Sequence, residues 1–306
     1  MVRAVSKKIK KMSNEKLLNF RDISVRMVRN PEPQEISETR EKIITSFSDL
    51  VFQEKEHKYF VKKYRKRAYE LPSVSSTIER WVPKVDWDEK AEMKALRLGI
   101  EKEELLKQWH EANIISTSCG SKTHFFGENA MNLFIGKEAV TANNMSFQYT
   151  EDGYLIPYNG KEWAITQYYN DILSNDNVYP VMPEAKIYTN YNDIFKLKYP
   201  YAGTFDILLA YKYKGEIVYS IHDFKTNASL HKDYAHEHNI MMLPPFDDMF
   251  EEPYSHYAIQ LSLYQIGLMQ LGIKVVDRNI IWLKEDGTYE KIKTPDLTET
   301  LIKELS

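Results

Sequence analysis

Two runs constrain the fold more than any other part of this chain: "YAGTFDILLAYKY" at residues 201–213 and "GEIVYSIHDFKT" at residues 215–226. Both are rich in β-branched and aromatic residues, and they meet around Lys214-Gly215, which predicts a β-hairpin. In such a hairpin the start of one strand lies beside the end of its partner. Asp206 stands near the start of the first run and Asp223 near the end of the second. The two carboxylates are therefore expected to converge at one end of a sheet. Lys225, two residues beyond Asp223, should share its face, because strand side chains alternate with a period of two. His222 should point to the opposite side and is read as structural.

The neighbouring segments extend this picture. "AKIYTNY" reads as a strand, "SHYAIQLSLYQIGLMQLGI" as a largely buried helix and "NIIWLKE" as a last short strand. Upstream, "STSCGSKTHFFGENAMNLFIG" reads as a helix whose start is marked by Ser and Thr. On it His124 and Glu128, four residues apart, share a face. The order helix, strand, strand, strand, helix, strand predicts an α/β fold with a mixed central β-sheet flanked by helices.

Before this core, residues 1–45 read as a basic, helical extension broken at Pro31 and Pro33. Residues 46–115 read as a β-hairpin followed by helix. The hairpin is "LVFQEKEHKYFVKKYRKRAYELPSV", turning at the basic "KKYRKR". The helical pattern runs from about Ser76 to Asn113, with Trp81, Trp87 and Trp109 as expected anchors. Residues 116–306 form the expected core domain.

Charge is unevenly spread. Residues 1–70 carry 18 Lys and Arg against 10 Asp and Glu, a net +8, which leaves −11 for the remainder of a chain whose total is −3. A basic arm on an acidic body suits phosphate contact by the arm and cation binding by the body. In the basic turn, Lys62, Lys63, Arg65, Lys66 and Arg67 alternate with aromatic residues and are candidate contacts to phosphates and stacked bases. The single cysteine, Cys119, excludes an internal disulfide framework and a four-cysteine zinc or iron–sulfur site. It is expected to be a small buried residue in a reducing compartment, the cytoplasm. No apolar run approaches the roughly 18 residues a membrane span needs, and the basic N-terminus lacks the apolar stretch of a secretory signal.

An acid-x-Lys pair such as Asp223-Lys225 means little by itself, since Glu56-Lys58, Asp88-Lys90 and Glu184-Lys186 repeat it. Its surroundings set it apart. Two converging carboxylates repel unless they share a proton or a cation. A hard divalent ion such as Mg²⁺ takes one or two carboxylates and keeps the rest of its sites for water or phosphate oxygens. A nearby lysine can orient the attacking water or offset charge in the transition state. Glu184 spells a competing P-E-x-K with Pro183 and Lys186. It is set aside as the centre, because no second carboxylate is expected one strand away, but kept as a supporting acid. "HKDYAHEHN" holds three histidines without a zinc-site spacing signature, and no metal is expected there.

Together these segments resemble the RecB-like exonuclease branch of the PD-(D/E)xK nuclease superfamily. The branch's G-x-x-D, D-x-K and Q-x-x-x-Y fall on Gly203 and Asp206, Asp223 and Lys225, and Gln260 and Tyr264. "GSKTHFFGE" is similar to its G-T-x-x-H-x-x-x-E, with Gly120, His124 and Glu128 in place and Ser121 where Thr is usual. In the N-terminal part, "HKYF", "LPSVSSTIERW" and a Trp about ten residues before Gly120-Ser121 are similar to phage-encoded and mitochondrial-genome-maintenance exonucleases. The resemblance implies a restriction-endonuclease-like core and a Mg²⁺- or Mn²⁺-dependent deoxyribonuclease of replication, recombination or repair. Its substrate would be DNA ends or single strands. In a phage-encoded chain the compartment would be the host cytoplasm. A recombination or replication protein is a conceivable partner.

By the same resemblance His124, Asp206, Asp223 and the backbone carbonyl of Phe224 would bind the ion, with Glu128 nearby. Lys225 would act on the attacking water, and Gln260 and Tyr264 would steady the site or touch nucleic acid. Branch members with an iron–sulfur cluster use four cysteines, so this chain would be a cluster-free member. A structure-specific endonuclease and a catalytically silent nucleic-acid-binding subunit stay open as alternatives.

Overall fold

The computed structural model describes residues 31–53, 56–62, 68–135, 148–149, 155–192 and 194–306. Of the expected N-terminal extension, residues 1–30 lie outside this set. Helix α1 (Gln34–Ser46) starts directly after Pro33. Its buried Ile36 and Ile43 lie seven residues, or two turns, apart on one face. The Thr39 hydroxyl meets the Tyr219 hydroxyl at 2.7 Å, which ties α1 to the centre of the molecule.

The segment expected to be one hairpin is a three-stranded antiparallel sheet: β1 (Leu50–Gln53), β2 (Lys58–Val61) and β3 (Tyr69–Leu71). "HKYF" pairs on both its edges, so the basic turn is one of two connections rather than the only one. Lys62 is exposed. Lys63, Arg65, Lys66 and Arg67 lie outside the described residues.

Then come α2 (Val74–Ile78), a short 3₁₀ turn at Glu79–Trp81, α3 (Trp87–Leu98) and α4 (Lys102–Phe134). Trp81 is buried against Phe246, with ring centroids 5.2 Å apart. Trp87 is not an anchor: it begins α3 and is 66% exposed. α4 overturns the expected helix start near Ser116, since it runs unbroken for 33 residues. Ser and Thr cap a helix only where the chain turns into it, and here good helix formers lead up to them. Cys119 lies on the outer part of α4 and is exposed, not buried.

Beyond a two-stranded ribbon, β4 (Gln148–Tyr149) with β5 (Leu155–Ile156), lies the main body. It holds α5 (Gly160–Leu173), β6 (Val178–Tyr188), β7 (Ala202–Tyr213), β8 (Glu216–Lys225), α6 (Asp233–Glu237) and α7 (Pro253–Met269). β9 (Val275–Leu283), β10 (Tyr289–Lys293) and α8 (Thr298–Leu305) complete it. The expected β7–β8 hairpin is present. Its turn places Lys214 at φ 50° and Gly215 at φ 84°, the left-handed pair that a two-residue type I′ connection needs.

The central sheet has the order β10-β9-β8-β7-β6, antiparallel throughout except for the parallel β8–β9 pair. This is the mixed sheet flanked by helices that the sequence predicts. Ile207 and Leu209 enter one apolar layer, with Phe126 of α4 and Ile165 of α5. Leu208 and Ala210 enter the other, with Ile259 and Leu263 of α7. The period-two alternation thus makes a sheet buried on both faces. α5, β10 and α8 were not expected. Among the described residues no helix is long and apolar enough to cross a membrane.

Candidate functional site

The last antiparallel pair between β7 and β8 at this end is Ile207 with His222. Beyond it the backbone ladder stops, and Asp206 reaches β8 through its side chain, which accepts the Phe224 N–H and brings its carboxylate beside that of Asp223. On the other side of β7, the pairs Pro183–Ile207 and Ala185–Phe205 bracket Glu184 and set it opposite Asp206. Three neighbouring strands therefore each contribute one acid to a single row. This removes the ground on which Glu184 was set aside: a second carboxylate does stand one strand away. Glu184 also has φ 46°, a left-handed conformation unusual for a residue of its kind. Such backbone strain tends to collect at functional sites, where the surroundings impose it.

Helix α4 brings His124 to this row. Its Nδ1 lies 2.7 Å from Oδ1 of Asp206. The second oxygen of Asp206 accepts the backbone N–H of Phe224 at 2.5 Å. Ligand-type atoms of His124, Glu184 and Asp206 all fall within 4.8 Å of one another. Asp206 is buried, and His124 and Glu184 are half-buried.

Asp223, also buried, turns its carboxylate toward Lys225, and the two form a close ion pair. Among the described residues, Asp223 Oδ2 has no hydrogen-bond partner beyond that charge contact. The Lys225 ammonium donates to Oε1 of Gln260 at 2.9 Å, and Gln260 Nε2 donates to the Tyr264 hydroxyl at 3.0 Å. Gln260 and Tyr264 face the site from α7, one turn apart. Their separation by four residues is what brings them to one face.

Tyr257 is a site residue that the motif did not single out. Its ring centroid lies 4.2 Å from the Lys225 ammonium, and its hydroxyl donates to Asn227 at 2.6 Å. The signal for it was present in the sequence: Tyr257 lies three residues before Gln260, on the same helix face.

Electrostatics follow from burial and crowding. Burial pushes the Glu184 carboxyl well above its usual range, and Asp206 and Glu128 push it further. Asp223 is raised as well, by burial, with Lys225 opposing the shift and Asp206 adding to it. Burial also works against the charge of Asp206, yet His124, Lys225 and the Phe224 N–H outweigh it and hold Asp206 below its usual value. Burial disfavours the His124 imidazolium, but Asp206 outweighs this and raises His124. Lys225 follows the same pattern, raised by Asp223 against the effect of burial. Crowded acids that must hold protons or share nearby cations are the condition that a divalent ion relieves.

The donor set fits such an ion. The Glu184 and Asp206 carboxylates and the His124 imidazole are within ligand distance of one another, with Asp223 beside them turned to Lys225 and no thiolate, a set that suits Mg²⁺ or Mn²⁺ among the common metals. In an extended strand a residue's N–H and C=O point the same way, so the Phe224 carbonyl is directed to the side of β8 on which its N–H meets Asp206. His222 is buried on the other face, against Tyr168 at 2.5 Å and Ser220 at 2.8 Å, as expected of a structural residue. Neither a protein-family model nor a curated protein matches the chain.

Proposed function

We propose that this chain is a metal-dependent nuclease that hydrolyses DNA phosphodiester bonds on a restriction-endonuclease-like core. One observation carries the reading. Glu184, Asp206 and Asp223 form a row across three adjacent strands, with Lys225 two residues beyond the last of them and held by Gln260. A row of acids with no lysine would suit simple cation storage. A lysine fixed at its edge adds a group for a reacting water.

His124, Glu184, Asp206, Asp223 and the Phe224 carbonyl would hold Mg²⁺ or Mn²⁺. When bound, the ion supplies charge stabilisation at the phosphate and lowers the pKa of water. The chain's own residues do the rest. Gln260 and Tyr257 orient the Lys225 ammonium, which donates a hydrogen bond to the attacking water or offsets negative charge on the phosphoryl oxygens. His124 and the Phe224 N–H fix both oxygens of Asp206, so that the carboxylate faces the ion in one orientation. Action from DNA ends or on single strands, in the cytoplasm, is the form that the motif resemblance favours.

The test is incubation with end-labelled single- and double-stranded DNA in Mg²⁺, Mn²⁺ or chelator, beside Asp223→Ala and Lys225→Ala. Metal-dependent degradation by the wild type alone supports the reading. Binding of DNA without cleavage under every condition supports a silent binding subunit instead.

A further inference from the structure

A second group of ligand-type side chains gathers at the start of α7, where the long connection after β8 returns to the body. His231, His236 and Glu252 bring imidazole nitrogens and a carboxylate oxygen within 4.8 Å of one another. Nδ1 of His231 lies 2.9 Å from Oε1 of Glu252, and Nε2 of His236 lies 2.8 Å from Oε2. The spacing within "HKDYAHEHN" carries no zinc signature. The third member lies 16 residues beyond His236 and only the fold brings it in.

The three groups are held in place by contacts other than those they make to each other. Glu252 is buried at the N-cap of α7, and the Lys232 N–H donates to its Oε2 at 3.2 Å. The His236 ring stacks on Phe250 with centroids 3.9 Å apart. The His231 ring leans on Tyr254 at 5.8 Å. Backbone hydrogen bonds from Glu251 to Ile240 and from Tyr254 to Leu230 close the loop around them. Both imidazoles aim a nitrogen at one buried carboxylate while their outer sides, 58% and 44% exposed, face solvent.

We propose that His231, His236 and Glu252 form a binding site for a transition-metal ion of the zinc class. Two imidazoles and one carboxylate are a ligand set that zinc takes in four-coordinate sites, leaving one position for water. Imidazole ligands select zinc, nickel or copper over the Mg²⁺ or Mn²⁺ suited to the carboxylate row. The ion clamps the connection between β8 and α7 to the first turn of α7. Tyr257 and Gln260 follow in the next two turns of that helix, so the clamp holds the helix that supports Lys225. This site does not depend on the nuclease reading, since it neither uses nor touches the carboxylate row.

The test uses the full chain stripped with chelator and titrated with Zn²⁺ by calorimetry. All arms carry Asp206→Asn, so that the carboxylate row does not compete. The expected result is one equivalent of bound zinc, with affinity reduced at least about tenfold by His236→Ala and by Glu252→Gln. Substitution with Co²⁺ in the same background should give the strong visible absorption of four-coordinate nitrogen and oxygen ligation. That reading needs no second variant, should His236→Ala fail to fold. Absence of both stoichiometric zinc binding and the Co²⁺ spectrum overturns the site. So does zinc binding that survives His231→Ala with His236→Ala unchanged.

Discussion

His124 Nδ1 lies 2.7 Å from Asp206 Oδ1 and joins helix α4 to the middle strand of the acid row, across 82 residues of chain. Asp206 bonds both His124 and the Phe224 N–H and lies within ligand distance of Glu184, so its replacement is the sharpest test of the cluster. Asp206→Asn keeps the shape and removes the charge. Mn²⁺ is expected to raise the Tm of the wild type and to leave that of Asp206→Asn unchanged. The substitution should also lower DNA hydrolysis by at least about 10²-fold. Thermal unfolding with and without Mn²⁺, beside initial rates, checks both. A persisting Mn²⁺ response would place the ion elsewhere.

Lys225→Met should separate binding from chemistry. Its ammonium meets Asp223, Gln260 and the Tyr257 ring, so methionine keeps bulk and loses all three polar contacts. Activity is expected to fall by about 10²–10⁴-fold, the usual scale for a positioned proton-handling group. Mn²⁺ binding should survive. Lys225→Arg should not rescue the rate, because a planar guanidinium cannot replace a compact ammonium in this geometry. Rate measurements at saturating Mn²⁺ with a parallel binding titration decide the matter.

Tyr257 supports Lys225 through its ring. Tyr257→Phe retains the aromatic face and loses only the bond to Asn227, so it should stay near wild-type activity. Tyr257→Leu removes the cation–π contact, worth about 0.5–2 kcal/mol, and should slow the reaction by about 2–30-fold. Equal rates for the two variants would show that the ring over Lys225 does not matter.

Gly203 tests the packing behind the site. A Cβ there would come within 2.7 Å of Tyr264 Cε1 and 2.8 Å of Val74 Cγ2. Gly203→Ala should cost about 1–3 kcal/mol through overpacking. It should also push Tyr264 against Gln260. Urea denaturation measures the first effect, and the activity of the folded fraction measures the second.

Acid stability should reveal Asp296 at the start of α8. Burial works against its charge, but hydrogen bonds from Thr298 and the Arg278 guanidinium prevail and hold it below its usual value. A depressed carboxyl stabilises the fold fully above the unfolded pKa of about 3.9 and loses that contribution as pH falls further. The wild type should therefore lose stability over this acidic window, and Asp296→Asn should flatten that part of the profile. Denaturation midpoints measured from neutral pH downwards settle it. Equal slopes would deny Asp296 this role.

Much of the site was legible in the sequence because local periodicity places it. Strand alternation sets Lys225 beside Asp223. A two-residue turn brings Asp206 to the end of β8 that carries Asp223, and helical spacing sets Gln260 with Tyr264. These relations depend only on backbone geometry repeated over a few residues, which the residue types impose directly. Glu184 joined the row through the β6–β7 register and a left-handed backbone. Its partner strand follows a loop, and no period carries across that loop.

The chain alone therefore determined the hairpin, the mixed sheet and the pairing of acids with lysine, since each follows from propensity and a short-range repeat. Only the tertiary structure decided that α4 runs through Ser116 without a break, because capping residues mark an end only where packing turns the chain. It also decided that Glu184 completes the acid row, that Tyr257 covers Lys225 and that Glu252 meets His231 and His236. Those contacts join residues on separate elements, and loop closure, not sequence spacing, sets their distances.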